Sequence, residues 1–400
     1  MTLLHLITRL SLGGSARNTI DSAAAAVRAG YETILATGPS GDELDVTHLA
    51  EKTGCRLEII GSLRREISPL HDLRALVATI RLIRRERIAI VHTHTSKAGF
   101  IGRLAARLTK VPVIVHTPHG HVFYGYFGAV PTSFFIALER WAAHFSDRII
   151  ALTEDDMREH LTRGIGSAKQ YRVIPSGVDI ESLRERAPER RDAREKLGWR
   201  AEERAVVGVG RLVPIKGFDI AVRALPELRT ALPKIRLVLV GEGPERRRLE
   251  ELASEAGVGR YLTITGAVED VTPFLAAADV LVAPSRNEGM GRVLVEAMAL
   301  GLPVVAARVG GVASVVSHGQ TGELVRPDQP AELARALIGL LTDPGRMEAY
   351  SAAATRRATQ FSLPVMEREL LSLYRDLAFE KGLSPEPVAT AASPALTPPR

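Results

Sequence analysis

The segment Pro284-Ser285-Arg286-Asn287-Glu288-Gly289-Met290-Gly291 leads into a helical run, Arg292 to Met298, and follows the apolar stretch Val280 to Ala283. Gly289 and Gly291 let a ligand approach the backbone closely. The helix that follows offers free N–H groups and a positive dipole end, so the segment reads as a phosphate cradle. Glu288 stands before the helix and Glu296 eight residues on, about 12 Å along the axis at the helical rise of roughly 1.5 Å per residue. That span suits an extended nucleotide diphosphate-sugar, with the sugar at one carboxylate and the ribose at the other. A second cluster, Gly208 to Asp219, carries Arg211 and Lys216 just after another apolar run. A planar guanidinium and a compact ammonium can meet the two phosphates of a diphosphate. They would also stabilise the charge that develops on a leaving diphosphate. Such a pair can stand in for a metal ion, and no Asp-x-Asp, the carboxylate pair favoured by a magnesium-bridged sugar nucleotide, occurs in the chain.

These groups need a scaffold that delivers them to one place. Short Val-, Ile- and Leu-rich runs alternate with longer helical patterns throughout, which predicts parallel β-α-β units covered on both faces. Strands are predicted at Leu3–Ile7, Thr33–Ala36, Leu57–Ile60, Ile88–His92, Val113–His116, Arg148–Leu152 and Tyr171–Ile174. A polar Arg/Glu-rich stretch from Glu181 to Arg204 then separates this half from predicted strands at Ala205–Val209, Ile235–Val240, Tyr261–Thr265, Val280–Ala283 and Val304–Ala306. The expectation is an α/β protein of two Rossmann-like, doubly wound parallel sheets facing each other across a cleft, with ligands at the carboxyl ends of the strands. The N-terminal, acceptor-side domain is predicted over 1–177 and the C-terminal, nucleotide-binding domain over 178–362. A last helix within 363–381 is expected to pack back on the first domain, and the Pro/Ala/Ser/Thr tail, 382–400, to be disordered.

In order along the chain, the Gly210 to Gly217 motif, the Glu288 and Glu296 pair, the Gly301-Leu302-Pro303-Val304-Val305 strand and the Gly310-Gly311 loop resemble glycosyltransferase family 4, retaining enzymes of the GT-B type. The similarity extends over most of residues 1 to 380. The resemblance implies transfer of a hexosyl or N-acetylhexosaminyl group from a nucleotide diphosphate-sugar, with UDP the expected carrier, with retained anomeric configuration and no required metal or other cofactor. It implies diphosphate binding by Arg211 and Lys216, sugar binding by Glu288, ribose binding by Glu296 and base binding by the backbone near Val268. Gly14, Gly210, Gly289, Met290, Gly291 and Leu294 join this donor set. Gly13-Gly14-Ser15 is similar to the family's glycine loop against the donor phosphates; the third Gly of a dinucleotide fingerprint is missing, which disfavours a Rossmann oxidoreductase. His116-Thr117-Pro118-His119-Gly120-His121 resembles the segment that supplies a histidine near the reacting sugar, and His119 matches that position. Lys97, His121 and Phe123 fall on the acceptor side.

Composition narrows the remaining classes. At 400 residues, with 46% hydrophobic and 24% charged residues, the chain is a soluble globular type large enough for two cores of roughly 150 to 200 residues. Its single cysteine, Cys55, excludes an internal disulfide or a cysteine-rich zinc site and suits a cytoplasmic setting. The charge is uneven: residues 61 to 90 hold seven Arg against three acidic residues, a net +4 within a chain total of +6. His71 to Arg87 thereby reads as a basic amphipathic helix, either resting on anionic lipid at the inner face of the plasma membrane or crossing over between strands with a solvated basic face. The aromatic run Phe123 to Phe127 could meet a lipid-linked acceptor, and the resemblance implies a glycan or polyprenyl/lipid-linked acceptor in cell-surface polysaccharide or glycolipid biosynthesis. Few aromatic residues, at 5%, and no recognition motif argue against a nucleic-acid partner. A GT-B sugar-nucleotide epimerase would need further acidic and histidine residues around the sugar. A non-catalytic nucleotide-sugar-binding partner fits poorly with the complete set Arg211, Lys216, Glu288 and Glu296.

Overall fold

The computed structural model describes residues 1–11, 13–39, 46–119 and 129–383. One sheet contains β1 (Thr2–Ile7), β2 (Glu32–Thr37), β3 (Arg56–Ile59), β4 (Ile90–His94), β5 (Val113–Thr117), β6 (Arg148–Ala151) and β7 (Tyr171–Val173), in the order β3-β2-β1-β4-β5-β6-β7. A second contains β8 (Arg204–Val209), β9 (Ile235–Val240), β10 (Leu262–Ile264), β11 (Val280–Ala283), β12 (Val304–Ala307) and β13 (Gly322–Val325), in the order β10-β9-β8-β11-β12-β13. Strand pairing is parallel within both. In each order the chain starts near the centre, builds one flank and crosses to the other side of its first strand. This reversal creates a topological switch point, β1/β4 in one sheet and β8/β11 in the other.

The strands read as continuous apolar runs because both faces are covered. In the second sheet Val207, Val238, Val240 and Leu281 feed one core, while their neighbours Val206, Leu237, Leu239 and Val282 feed the other. In the first sheet Leu4, Leu6, Ile34 and Val91 pack on one side, and Ile7 and Leu35 on the other. A charged residue within such a strand needs its own partners. One strand, β13, is absent from the sequence expectation: its Gly-Glu-Leu-Val run is short and carries a carboxylate. Glu323 is buried there because Tyr350 donates to it at 2.6 Å and Arg346 pairs with it.

The chain divides into two compact units. One gathers Met1–Pro118, Leu138–Ile150 and the residues from Glu367 onward; the other gathers His119–Ala137 and Ala151–Met366. The last helix runs Leu363–Glu380, and from Tyr374 its hydroxyl reaches His92 Nδ1 at 2.6 Å within the first unit. The expected tail beyond 383 lies outside the described residues.

The polar stretch between the two halves forms helices Ile180–Arg186 and Arg190–Lys196. Arg194, 6% exposed, explains why so polar a segment packs: it pairs with Asp279 at 2.8 Å and donates to the carbonyls of Ala277, Arg200, Ala201 and Glu203. Asp279, 5% exposed, also accepts from Arg190 at 2.7 Å and from the backbone N–H of Ala205 on β8 at 2.7 Å. A buried pair of this kind adds little net stability but leaves an uncompensated charge if one member is removed. Asp279→Ala is therefore expected to destabilise the second unit by about 3–5 kcal/mol, read as a large fall in melting temperature, with Asp279→Asn falling less.

Candidate functional site

Lys216 Nζ lies 2.6 Å from Glu288 Oε2, uniting the two motifs that sequence placed 72 residues apart. Ser285 Oγ donates to the same carboxylate oxygen at 3.1 Å. Each partner comes from a loop at the carboxyl end of a central strand, β8 for Lys216 and β11 for Glu288, as the switch-point rule requires. Both side chains are partly exposed, at 26% and 18%, so the pair is open to a ligand.

The loops meet because their backbones can touch. Gly217 has φ 65°, and a Cβ there would stand 2.1 Å from the carbonyl oxygen of Pro284. Gly310 has φ 46°, and a Cβ there would stand 2.0 Å from the carbonyl oxygen of Glu288. The next amide, Gly311 N–H, donates to that same carbonyl at 3.2 Å.

Arg286 locks the arrangement and is the positioning residue that sequence reasoning missed. It grips Asp219 through two bonds of 2.9 and 2.8 Å, Asp328 at 2.7 Å and the Pro214 carbonyl at 2.6 Å, while its own N–H donates to Ile215 O at 2.8 Å. Burial works against ionisation of Asp219, yet the Arg286 bonds hold its carboxyl below the usual range. The pair with Asp219 raises the guanidinium further above its ordinary value. Arg286 lies two residues before Glu288, and Asp219 three after Lys216. This bidentate fork therefore sets the spacing of the functional pair.

The other residues of the expected donor set divide by what they present. Arg211 is exposed beside the turn at Gly210, where φ is 150°. Met290 and Leu294, at 2% and 1% exposure, send their side chains into the core, so they shape the turn from beneath. Val268 is half-buried against the same core. The helix begins at Arg292, with Gly291 as its cap at φ 73°. The expected helical span from Glu288 to Glu296 is thus shortened: four residues of rise, about 6 Å, with the rest taken by the turn containing Gly289. Arg292 Nη1 donates to Ser176 Oγ at 3.0 Å and also holds the Gly177 carbonyl.

His119 follows β5 with φ 60°, a left-handed conformation that a non-glycine residue adopts only under constraint. Burial, then the Arg292 guanidinium, draws its pKa down to about 3, so the imidazole is neutral near pH 7. In the other unit, Gly14 opens the helix Gly14–Arg28, and Lys97 is committed to an ion pair with Asp72 at 2.5 Å and to the Glu66 carbonyl. His121 and Phe123, with the aromatic run to Phe127, lie outside the described residues. The adjacent carboxylates Asp155 and Asp156 serve a helix start, with Thr153 Oγ1 capping the Asp156 N–H at 3.1 Å.

With this geometry established, comparison with known proteins is decisive. Residues 12–182 match the family described as Glycosyltransferase Family 4, and residues 189–357 match Glycosyl transferases group 1. The UDP-Gal:alpha-D-GlcNAc-diphosphoundecaprenol alpha-1,3-galactosyltransferase of Escherichia coli is 31% identical over 77% of this chain and 78% of its own length. The chain belongs to glycosyltransferase family 4. A D-inositol 3-phosphate glycosyltransferase from Acidothermus cellulolyticus is 34% identical over 73% of this chain and 68% of its own. Among solved structures, sucrose-phosphate synthase from Thermosynechococcus elongatus superposes with a TM-score of 0.82 at 25% identity, covering 95% of this chain and all (100%) of that one. Anabaena Alr3699/HepE, solved with UDP and glucose, gives 0.81 at 23% identity over 94% of this chain and 100% of its own. This family 4 member has the GT-B fold and is a glycosyltransferase.

Because Gly310 abuts Glu288, Gly310→Ala is expected to displace the carboxylate and lower turnover by on the order of 100-fold, the usual effect of a misplacement of about an ångström. Gly319 shares the left-handed backbone, at φ 74°, but a Cβ there would meet nothing within 4 Å. Gly319→Ala, assayed in parallel, isolates backbone strain and is expected to keep most activity.

Proposed function

We propose that this glycosyltransferase moves a hexosyl or N-acetylhexosaminyl group from a nucleotide diphosphate-sugar, with UDP as carrier, to a glycan or lipid-linked acceptor with retention of configuration. The observation that carries the reading is the Lys216–Glu288 pair at 2.6 Å, seated beside the amide end of the helix Arg292–Ala299 and in the same unit as Arg211. Lys216 and Arg211 take the diphosphate, Glu288 takes hydroxyls of the donor sugar and Glu296 takes the ribose. The backbone at Val268 holds the base. Names of relatives support the carrier and the acceptor class: the Escherichia coli protein is named for UDP-Gal and a diphosphoundecaprenol acceptor.

In this reading the diphosphate leaves toward Arg211, Lys216 and the helix amides, whose charge is matched to the leaving group rather than to the intact donor. The acceptor hydroxyl attacks the face that the diphosphate is vacating, and an oxygen of the leaving phosphate takes its proton. No protein base and no divalent cation is then required. In this reading His119, held neutral, hydrogen-bonds the sugar without adding charge. Lys216→Ala and Glu288→Gln are each expected to lower turnover of a UDP-sugar by about 100-fold to 1000-fold while circular dichroism stays unchanged. Near-normal rates in both would reject the site. A thermal-shift screen of UDP-, GDP- and ADP-sugars reads the base preference directly, since a ligand of the native state raises stability by mass action.

A peripheral position on the inner face of a membrane completes the reading. No described helix is long and apolar enough to cross a membrane. The helix Pro69–Arg85 exposes Leu70 and Leu73, each 57% accessible, with Ile67 just before it at 69%. Exposed Arg64, Arg65 and Arg74 neighbour them in sequence, and exposed Arg81, Arg84 and Arg85 follow along the same helix. Exposed apolar residues on a helix rich in arginine suit an anionic lipid surface. Co-flotation with anionic vesicles is expected at low salt and its loss in Leu70→Glu/Leu73→Glu; absence of flotation by the unaltered protein removes the membrane claim.

A further inference from the structure

His5, His92 and His94 take no part in the donor chemistry, yet the first sheet brings them together. Parallel pairing sets His5 opposite His92, and alternation along β4 puts His92 and His94 on one face. Their exposures are 0%, 1% and 0%. The ring centroids stand 4.1 Å apart for His92 and His94, 5.1 Å for His5 and His92, and 5.2 Å for His5 and His94. His5 Nδ1 lies 2.9 Å from His94 Nε2, and the three rings offer nitrogens that all fall within 4.8 Å of one another.

Two features separate this cluster from a closed hydrogen-bond network. A neutral imidazole has one N–H and one lone pair, and buried polar atoms nearly always find partners for both. His5 Nε2 is buried with none. His92, by contrast, has a hydroxyl at each nitrogen, Tyr374 at 2.6 Å from Nδ1 and Thr117 at 2.7 Å from Nε2. Whichever nitrogen turns toward an ion, the other keeps a hydroxyl acceptor for its N–H, the outer contact that orients metal-bound histidines.

We propose that His5, His92 and His94 form a buried site for a divalent transition-metal ion of the zinc class, structural in role and joining β1 to β4. Neutral imidazoles suit zinc, cobalt, nickel and copper, whereas magnesium and calcium want oxygen ligands. Zinc–nitrogen bonds of about 2.0–2.1 Å in tetrahedral geometry set ligand nitrogens about 3.4 Å apart. The widest pair, at up to 4.8 Å, therefore closes by up to about 1.4 Å. Thr117 Oγ1 or a water supplies the fourth position. All three histidines belong to the first unit, whereas Arg211, Lys216 and Glu288 belong to the second, so this site and the cation-free donor chemistry stand or fall separately.

The test uses the full chain, free of any affinity tag and stripped with chelator, titrated with Co²⁺ alone. The expected result is an intense visible d–d absorption that saturates at one equivalent and is displaced by Zn²⁺, with Zn²⁺ also raising the melting temperature. His94→Gln and His5→Gln are expected to weaken Co²⁺ binding by at least about 10- to 100-fold. A wild-type protein showing only the weak spectrum of the hydrated ion overturns the proposal, and this reading does not depend on whether either variant folds. A folded His94→Gln protein that keeps the full band overturns it equally.

Discussion

The ion pair between Lys216 and Glu288 is the contact around which the loops of the second unit's sheet are arranged. It is made by side chains from two separate crossover connections, so its geometry is only as good as the backbone beneath it. Three constraints supply that backbone: the close approach of Gly217 to Pro284, the close approach of Gly310 to Glu288, and the Arg286 fork on Asp219. Two of the three lie away from the Lys216 and Glu288 side chains, and the third meets Glu288 only at its backbone carbonyl. Together they turn two loops into a rigid frame, the condition under which preorganised charges stabilise a developing anion.

That frame rests in turn on a parallel sheet covered on both faces. Parallel strands require crossovers, the crossovers deliver loops to the carboxyl ends, and the reversal of strand order at β8 and β11 sets the loops that carry Lys216 and Glu288 side by side. Burial of charge is tolerated around this sheet only where it is fully matched. Among the described residues, Asp279 with Arg194 and Arg190, Glu323 with Tyr350 and Arg346, and Asp219 with Arg286 are three cases. Each ties a helix to a strand end, so these charges fix where helices dock as well as satisfying one another.

The first unit uses polarity differently. Its strands carry histidines in the interior, and their neighbours are other histidines, threonines and the Tyr374 hydroxyl. A tyrosine from near the C-terminus thereby reaches into the sheet that begins the chain, which makes the first unit discontinuous in sequence.

Much of this was legible in the residue order. Twelve of the strands announce themselves as short β-branched runs, and their alternation with helical segments implies two parallel sheets, because few other arrangements bury both faces of such runs. The glycine-flanked Glu288 turn and the Arg211/Lys216 loop were visible for the same reason: residue types with local conformational consequences recur at short spacing. What lies beyond local spacing was hidden. The pairing of Arg286 with Asp219 spans 67 residues, and neither residue carries any sign of the other. The strand β13 with its buried carboxylate and the packing role of Arg194 were likewise decided by contacts that form only when distant segments meet. The His5, His92 and His94 cluster is the same case in another form. Alternation places His92 and His94 on one face, but only the register of β1 against β4 brings His5 beside them, and register is set by the packing of the whole sheet.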